Sequence, residues 1–271
     1  MKNNIFKTLI FVLILSIALA PSVTSFIHDE MQARENIRIA KEIAEAEKIA
    51  AEKLYLTGRF DQTKNPNFVQ IDKSITLGGA TMYLRKETYG AFLDMRNAAK
   101  KDGVDLFIAS ATRNFSYQKN LWNNKWTGGT LVNSKDLSKT IPDGLERFKK
   151  ILEYSAVPTT SRHHWGTDID LNNANVEYFD TTYGQKVYSW LVTNAPSYGF
   201  CQTYNQKTLG RPTGYNEEKW HWSYLPLAQD FTKRYKELIK LSDITGFEGD
   251  QYATQADVIN NYVLSINPLC L

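Results

Sequence analysis

The chain has 271 residues, 42% of them hydrophobic, and a formal charge of only +3. That is enough for one sizeable core, or for one domain with an appendage. With no basic run behind the charge, nucleic acid is not an implied partner. The 15 Tyr, 13 Phe and 6 Trp point first to a well-filled core, and second to a groove for an extended polymer.

The chain opens Met-Lys-Asn-Asn-Ile-Phe-Lys and continues almost entirely apolar from Thr8 to Ala20. A positive start followed by a short apolar segment is the pattern of a secretory signal. The segment falls short of the roughly 20 residues a spanning helix needs. Small residues in Val23-Thr24-Ser25 place cleavage after Ser25, which makes residues 1–25 the signal; an uncleaved anchor is the other reading. Residues 26–60 form the next segment. Ile39, Ile43, Ala46, Ala50 and Leu54 recur at helical spacing between Asp29 and Leu56, and Gly58 is a stop. This predicts a long amphipathic helix, packed on the domain or standing near the membrane.

The body is expected over 61–245. Asn65-Pro66-Asn67 marks a turn, and Phe68 to Thr76 alternates as a strand. A helix covers 86–101 with Tyr89, Phe92, Met95 and Ala99 on one face. Val104 to Ala109 is a short buried strand that delivers Ser110-Ala111-Thr112-Arg113 to a strand end. Asn114 or Ser116 caps the next helix, which carries Tyr117, Gln118, Leu121 and Trp122. From Gly128 to Pro142 a surface loop is expected, and then a helix over 144–154. Further on come a helix from Asp180 to Ala195, a strand starting at Tyr198-Gly199-Phe200-Cys201 and a polar loop from Gln202 to Glu217, long enough to bind a ligand or act as a lid. A strand over Trp220 to Tyr224, a helix over Ala228 to Ser242 and a last helix over Ala253 to Ile266, within a tail of residues 246–271, complete the chain. Strands scattered among helices favour an α+β domain with a small, mostly antiparallel sheet. Cys201 and Cys270 either pair, as an exported protein allows, or remain two buried thiols; closing that loop stabilises by about 4 kcal/mol in the chain-entropy model.

Chemistry concentrates between Ser161 and Leu171. That stretch holds His163, His164, Asp168 and Asp170, and His221 follows within Glu217-Glu218-Lys219-Trp220-His221-Trp222. Two imidazoles and a carboxylate suit zinc when one coordination position stays open for water. On a strand, Trp220 and Trp222 pack one way and His221 points the other. Gly166, Asp168 and Asp170 share one face, with Ile169 and Leu171 toward the core. His163 belongs to the turn before that strand, and Gly166 permits a close approach of backbone or metal. His164 is the weaker ligand candidate and is expected to pack behind the site.

The pattern Ser161-x-His163-x-x-Gly166-x-x-x-Asp170, followed by Glu218-x-Trp220-His221, resembles the bacterial D-alanyl-D-alanine carboxypeptidases of the VanY and VanX type, zinc peptidases of the wider LAS group. Ser110-x-x-Arg113 with Gln118 matches as well, and the likeness runs from about residue 80 to 225. The resemblance implies a LAS/Hedgehog-like zinc peptidase domain. It makes His163, Asp170 and His221 the zinc ligands and Glu218 the general base, with Glu217 as the fallback. It gives Arg113 the substrate carbonyl or carboxylate and the oxyanion, and gives Ser161 and Gln118 contacts to the peptide. Asp168, where the family has a small apolar residue, is a departure; it is assigned to substrate binding, with orientation of a ligand histidine or replacement of Asp170 as the other roles. Glu218 and His221 are three apart, so Glu218 is expected in a bend or loop just before the strand. The implied substrates are peptidoglycan stem peptides, met by a monomer in the periplasm or on the surface of a bacterium. D,D-carboxypeptidase, L,D-carboxypeptidase and L,D-endopeptidase share this core. A non-catalytic wall-binding module with structural zinc is the rival from another class.

Overall fold

The computed structural model describes residues 23–208 and 210–271. The export signal expected over residues 1–25 lies almost wholly outside the described residues. The chain forms two compact units, Met1–Ala51 and Glu52–Leu271.

The first unit belongs to one helix, α1 (Lys2–Leu56). Its described part is rich in strong helix formers and carries Arg–Glu pairs one turn apart, Arg34 with Glu30 at 2.6 Å and Arg38 with Glu42 at 2.7 Å. Ile37, Ile39 and Ile43 are exposed on its surface. Among the described residues, no helix is long and apolar enough to cross a membrane.

The last turn of α1 is part of the second unit, and Gly58, at φ +74°, ends the helix as expected. Leu56 is fully buried, its carbonyl accepting from Trp165 Nε1 at 3.1 Å, while Tyr55 donates to the Trp165 carbonyl at 2.5 Å. Strand β1 (Phe68–Gln70) pairs antiparallel with β2 (Tyr83–Arg85), which leads into helix α2 (Lys86–Lys101). The strand expected to reach Thr76 stops early because Asp72 accepts a hydrogen bond from the Ser74 amide at 2.9 Å and turns the chain into a short 3-10 helix. Next come β3 (Ile108–Ser110) and helix α3 (Phe115–Thr127), capped by Asn114 on the Tyr117 amide at 2.9 Å. The short helices α4 (Leu137–Thr140) and α5 (Gly144–Ile151) follow.

Strand β4 (Asp168–Leu171) enters the sheet, helices α6 (Val176–Asp180) and α7 (Thr182–Asn194) follow, and β5 (Phe200–Gln202), β6 (His221–Tyr224) and helix α8 (Leu225–Leu238) come after them. The main sheet has the order β3-β4-β6-β5 with every neighbour antiparallel. Small antiparallel sheets among helices are the α+β architecture expected from the sequence. Ile169, Leu171, Trp220 and Trp222 belong to one buried apolar cluster with Phe92, Met95 and Phe200. The opposite face of β4 and β6 carries Asp168, Asp170, His221 and Ser223, because side chains alternate along a strand.

A second core lies around Trp122, Phe148, Trp165 and Tyr235, and the C-terminal tail fills it with Val258, Val263 and Ile266. The last helix expected over Ala253–Ile266 does not form as such. Asp257 takes a left-handed φ of +44°, and only a π-helical turn, Ile259–Val263, follows it. The tail is tied down by a disulfide between Cys201 and Cys270, Cα atoms 5.7 Å apart. Within the segment from Gln202 to Glu217, Tyr204, Arg211 and Tyr215 are buried while Gln206, Lys207 and Thr208 are exposed; Arg211, 1% exposed, donates to the carbonyls of Thr213 at 3.1 Å and Tyr215 at 2.8 Å.

Candidate active site

The three candidate metal ligands converge. His163 sits in a 3-10 turn, Arg162–Trp165, between the Ser161 cap and β4. Gly166 ends that turn at φ +73°, and a Cβ there would strike Phe68 Cε1 at 2.4 Å. The glycine is therefore demanded by backbone conformation and by the Phe68 ring, not by closeness to a metal as expected. Asp170 and His221 lie opposite one another in the β4–β6 register. One donor atom from each of His163, Asp170 and His221 lies within 4.8 Å of the others, and all three residues are buried.

Hydrogen bonds fix which ring nitrogen each histidine offers. His163 Nδ1 lies 2.8 Å from the Ala111 carbonyl, so it carries the proton and leaves the Nε2 lone pair free. His221 Nε2 lies 2.8 Å from Asp168 Oδ2, which leaves Nδ1 facing Asp170 Oδ1 at 3.4 Å and Glu218 Oε2 at 3.3 Å. His163 Nε2 and Asp170 Oδ1 are buried without a hydrogen-bond partner. Buried polar atoms are nearly always paired, so two orphans within one donor triad mark a place built for a cation. Two imidazoles and one carboxylate fit zinc with a position left for solvent.

Charge agrees with that assignment. Burial, reinforced by the Arg113 guanidinium, holds the His163 imidazole below its ordinary pKa and therefore neutral, as a ligand must be. Burial works the same way on His221, but Asp168, Asp170 and Glu218 overcome it and hold the ring well above its ordinary value. A divalent cation would take the place of that proton on Nδ1.

Behind His221 stands a closed polar network. Asp168 is 0% exposed; it accepts from Arg162 Nε at 3.1 Å, Thr167 Oγ1 at 2.8 Å and Ser223 Oγ at 2.8 Å in addition to His221. Arg162, itself 1% exposed, donates its remaining nitrogens to Thr232 Oγ1 at 2.8 Å and Ser223 Oγ at 3.1 Å. Burial alone would raise the Asp168 carboxyl, but Arg162 and His221 outweigh it and keep the group ionised well below the usual range. Asp168 is therefore no substrate contact, which corrects the assignment made from the sequence: it has no free face, and it orients a ligand imidazole. Arg162 was passed over in the sequence. The signal for it is the unexplained carboxylate at Asp168, since a buried anion on a strand needs a cation.

His164 turns away from the donors. Its Nε2 accepts from the Thr159 amide at 3.2 Å and Nδ1 reaches the Arg113 carbonyl at 2.5 Å, and burial lowers its pKa to about 3. It packs against Gly58, where a Cβ would meet the ring at 2.4 Å. So the carbonyls of Ala111 and Arg113, just past β3, set the two adjacent rings.

Glu218 lies off the strand, just before a turn at Lys219-Trp220, as its three-residue spacing from His221 requires. Burial pushes its carboxyl above the ordinary value, partly opposed by His221. Glu217 points elsewhere and accepts from Tyr188 at 3.4 Å, which leaves Glu218 as the glutamate beside the metal donors. A cleft of ≈ 740 Å³ opens in front, lined by Arg113, Gln118, Ser161, Tyr204, Glu218 and Trp220 among others. Volumes of this order suit a small ligand or a short stretch of polymer. Arg113 Nε, Gln118 Oε1 and Ser161 Oγ have no hydrogen-bond partner, so all three predicted contacts offer unspent polar atoms.

A curated D-alanyl-D-alanine carboxypeptidase of Enterococcus faecalis is 29% identical over 160 residues, 57% of this chain and 53% of that one. A Bacillus subtilis relative is 29% identical over 168 residues, 60% and 52% of the two chains. The chain thus spans about half the length of these curated relatives. Among solved structures, a vancomycin-resistance D,D-pentapeptidase VanY in complex with Zn(II) is 24% identical with a TM-score of 0.44, covering 65% of this chain and 86% of that one. The LdcB LD-carboxypeptidase is 24% identical with a TM-score of 0.46, covering 68% and 81%. The family model for VanY, D-alanyl-D-alanine carboxypeptidase, matches residues 81–227 and so takes in every site residue predicted from the sequence. The chain belongs to the VanY family of D-alanyl-D-alanine carboxypeptidases.

Proposed function

We propose that this protein is an exported zinc carboxypeptidase that trims peptidoglycan stem peptides, with D-alanyl-D-alanine termini as the favoured substrate. One observation carries the reading: buried ligand atoms left unpaired in His163 and Asp170 stand together with His221, beside a buried carboxylate and an uncommitted guanidinium. Family membership points the same way, and the Cys201–Cys270 bridge fits an oxidising compartment outside the cytoplasm.

A zinc ion held by His163, Asp170 and His221 would supply a Lewis acid for the scissile carbonyl and lower the pKa of a coordinated water. Glu218 takes the proton from the attacking water and returns it to the leaving amine; its raised pKa suits both steps. The Arg113 guanidinium meets the negative charge that develops on the carbonyl oxygen. Asp168 holds His221 by Nε2 so that Nδ1 stays turned to the metal side. A closed structural zinc site would need a fourth protein ligand, and the two that the sequence offered for it, His164 and Asp168, are both engaged away from the donors.

The test uses zinc-loaded protein and stem peptides of defined length, with released fragments identified by mass. Loss of a terminal D-Ala from pentapeptides is expected. Glu218→Gln should lower kcat by about 10²- to 10⁴-fold while zinc content is unchanged. Folded, zinc-bound protein that cleaves no cell-wall peptide would overturn the reading.

A further inference from the structure

The cleft contains a second cation that the steps above leave idle. Lys125 projects from the last turn of α3, is largely buried, and hydrogen-bonds through Nζ to Ser155 Oγ. Both residues line the same cleft as Arg113, Gln118 and Glu218. Among the described residues, Lys125 has no carboxylate at ion-pair distance. Lys150, on the same cleft, is instead neutralised by both oxygens of Glu153 at 2.8 Å.

An ammonium drawn partly out of water without a counter-ion is destabilising. Its position here makes sense if the ligand brings the anion. The neighbourhood agrees: burial, and then Arg113, hold the Lys125 ammonium below its ordinary pKa, with only Glu218 opposing them. Gln118 gives its Nε2 to the Ala156 carbonyl at 2.7 Å and leaves a buried Oε1 that accepts nothing from the protein. An acceptor of that kind suits a peptide N–H, and a cation about two turns further along α3 in the same cleft suits a carboxylate.

We propose that Lys125, positioned by Ser155, binds the free C-terminal carboxylate of the peptide, leaving Arg113 for the scissile carbonyl and committing this site to terminal residues. The proposal rests on the peptidase reading above and names the group that separates a carboxypeptidase from an endopeptidase. A carboxylate on a side chain of the peptide offers the same chemistry, so the test must tell the two apart.

Zinc-loaded protein would be assayed on matched peptides ending in a free acid or in an amide, using wild type, Lys125→Met and Lys125→Arg. The free acid should be preferred by wild type. Lys125→Met should raise its KM about ten- to hundredfold, as for loss of a charged hydrogen bond, with kcat changed far less. The amide should be indifferent to the substitution, and Lys125→Arg should restore much of the preference. An equal loss on acid and amide would make Lys125 structural or a reader of side-chain carboxylates, and either result overturns the proposal. So would an unchanged KM. Calorimetric binding of the same peptides to Glu218→Gln protein separates the two claims. Lys125-dependent binding of the free acid without turnover by wild type would sink the peptidase reading alone. Turnover without acid preference would sink this proposal alone.

Discussion

Asp168 and Asp170 stand two residues apart on one face of one strand, yet their surroundings are opposite. Behind the site, every hydrogen-bonding oxygen of Asp168 is engaged, by Arg162, Thr167, Ser223 and His221. In front, Asp170 Oδ1 has no hydrogen-bond partner, and neither do His163 Nε2, Ser161 Oγ or Gln118 Oε1. A buried polar atom left unpaired is destabilising by about 1–3 kcal/mol. Gathering four such atoms around one cleft marks where the fold has given up stability for binding. The satisfied wall is what keeps the unsatisfied one in register.

The sharpest way to break that contrast is to neutralise each aspartate in turn. Asp170→Asn should abolish tight zinc binding while lowering the stability of the metal-free protein less than Asp168→Asn does, since it loses only two longer contacts, to His163 Nε2 and His221 Nδ1 at 3.4 Å each. Asp168→Asn leaves Arg162 buried beside a neutral partner. It should therefore lower stability by about 3–5 kcal/mol and weaken zinc binding by only about 10- to 100-fold. Denaturant unfolding with a metal-affinity titration checks both. Equal stability losses would erase the distinction between the two walls.

A smaller effect concerns protons. His221 is held protonated well above its ordinary pKa by three carboxylates, and that proton occupies the Nδ1 that a metal needs. Metal affinity is therefore full above the raised pKa and falls as pH drops through it. About one proton should be released per zinc at a pH where an ordinary histidine (pKa ≈ 6.5) has already lost its own. Calorimetry in buffers of different ionisation heat measures this. Asp168→Asn, which removes one of the three carboxylates, should shrink the release.

Much of the site could be read from residue spacing. The alternation of Asp168, Ile169, Asp170 and Leu171, and of Trp220, His221 and Trp222, is a local property of extended chain. It placed Asp170 and His221 correctly, and the three-residue gap correctly took Glu218 off the strand. Helix periodicity likewise found 86–101 and the Asn114 cap. The tail helix failed because Asp257 adopts a left-handed conformation that no period announces.

The sequence by itself determined the donor types, their faces and the family resemblance, because strand and helix periods act over a few residues and need no distant partner. Only the tertiary structure decided that Asp168 looks backward to Arg162 and His221, that Glu217 turns to Tyr188, and that Lys125 meets the cleft bonded to Ser155 and, among the described residues, without a carboxylate partner. Those outcomes depend on which distant groups share a buried space. Whether a carboxylate or ammonium is spent or free there follows from partners tens of residues away, which local spacing does not encode.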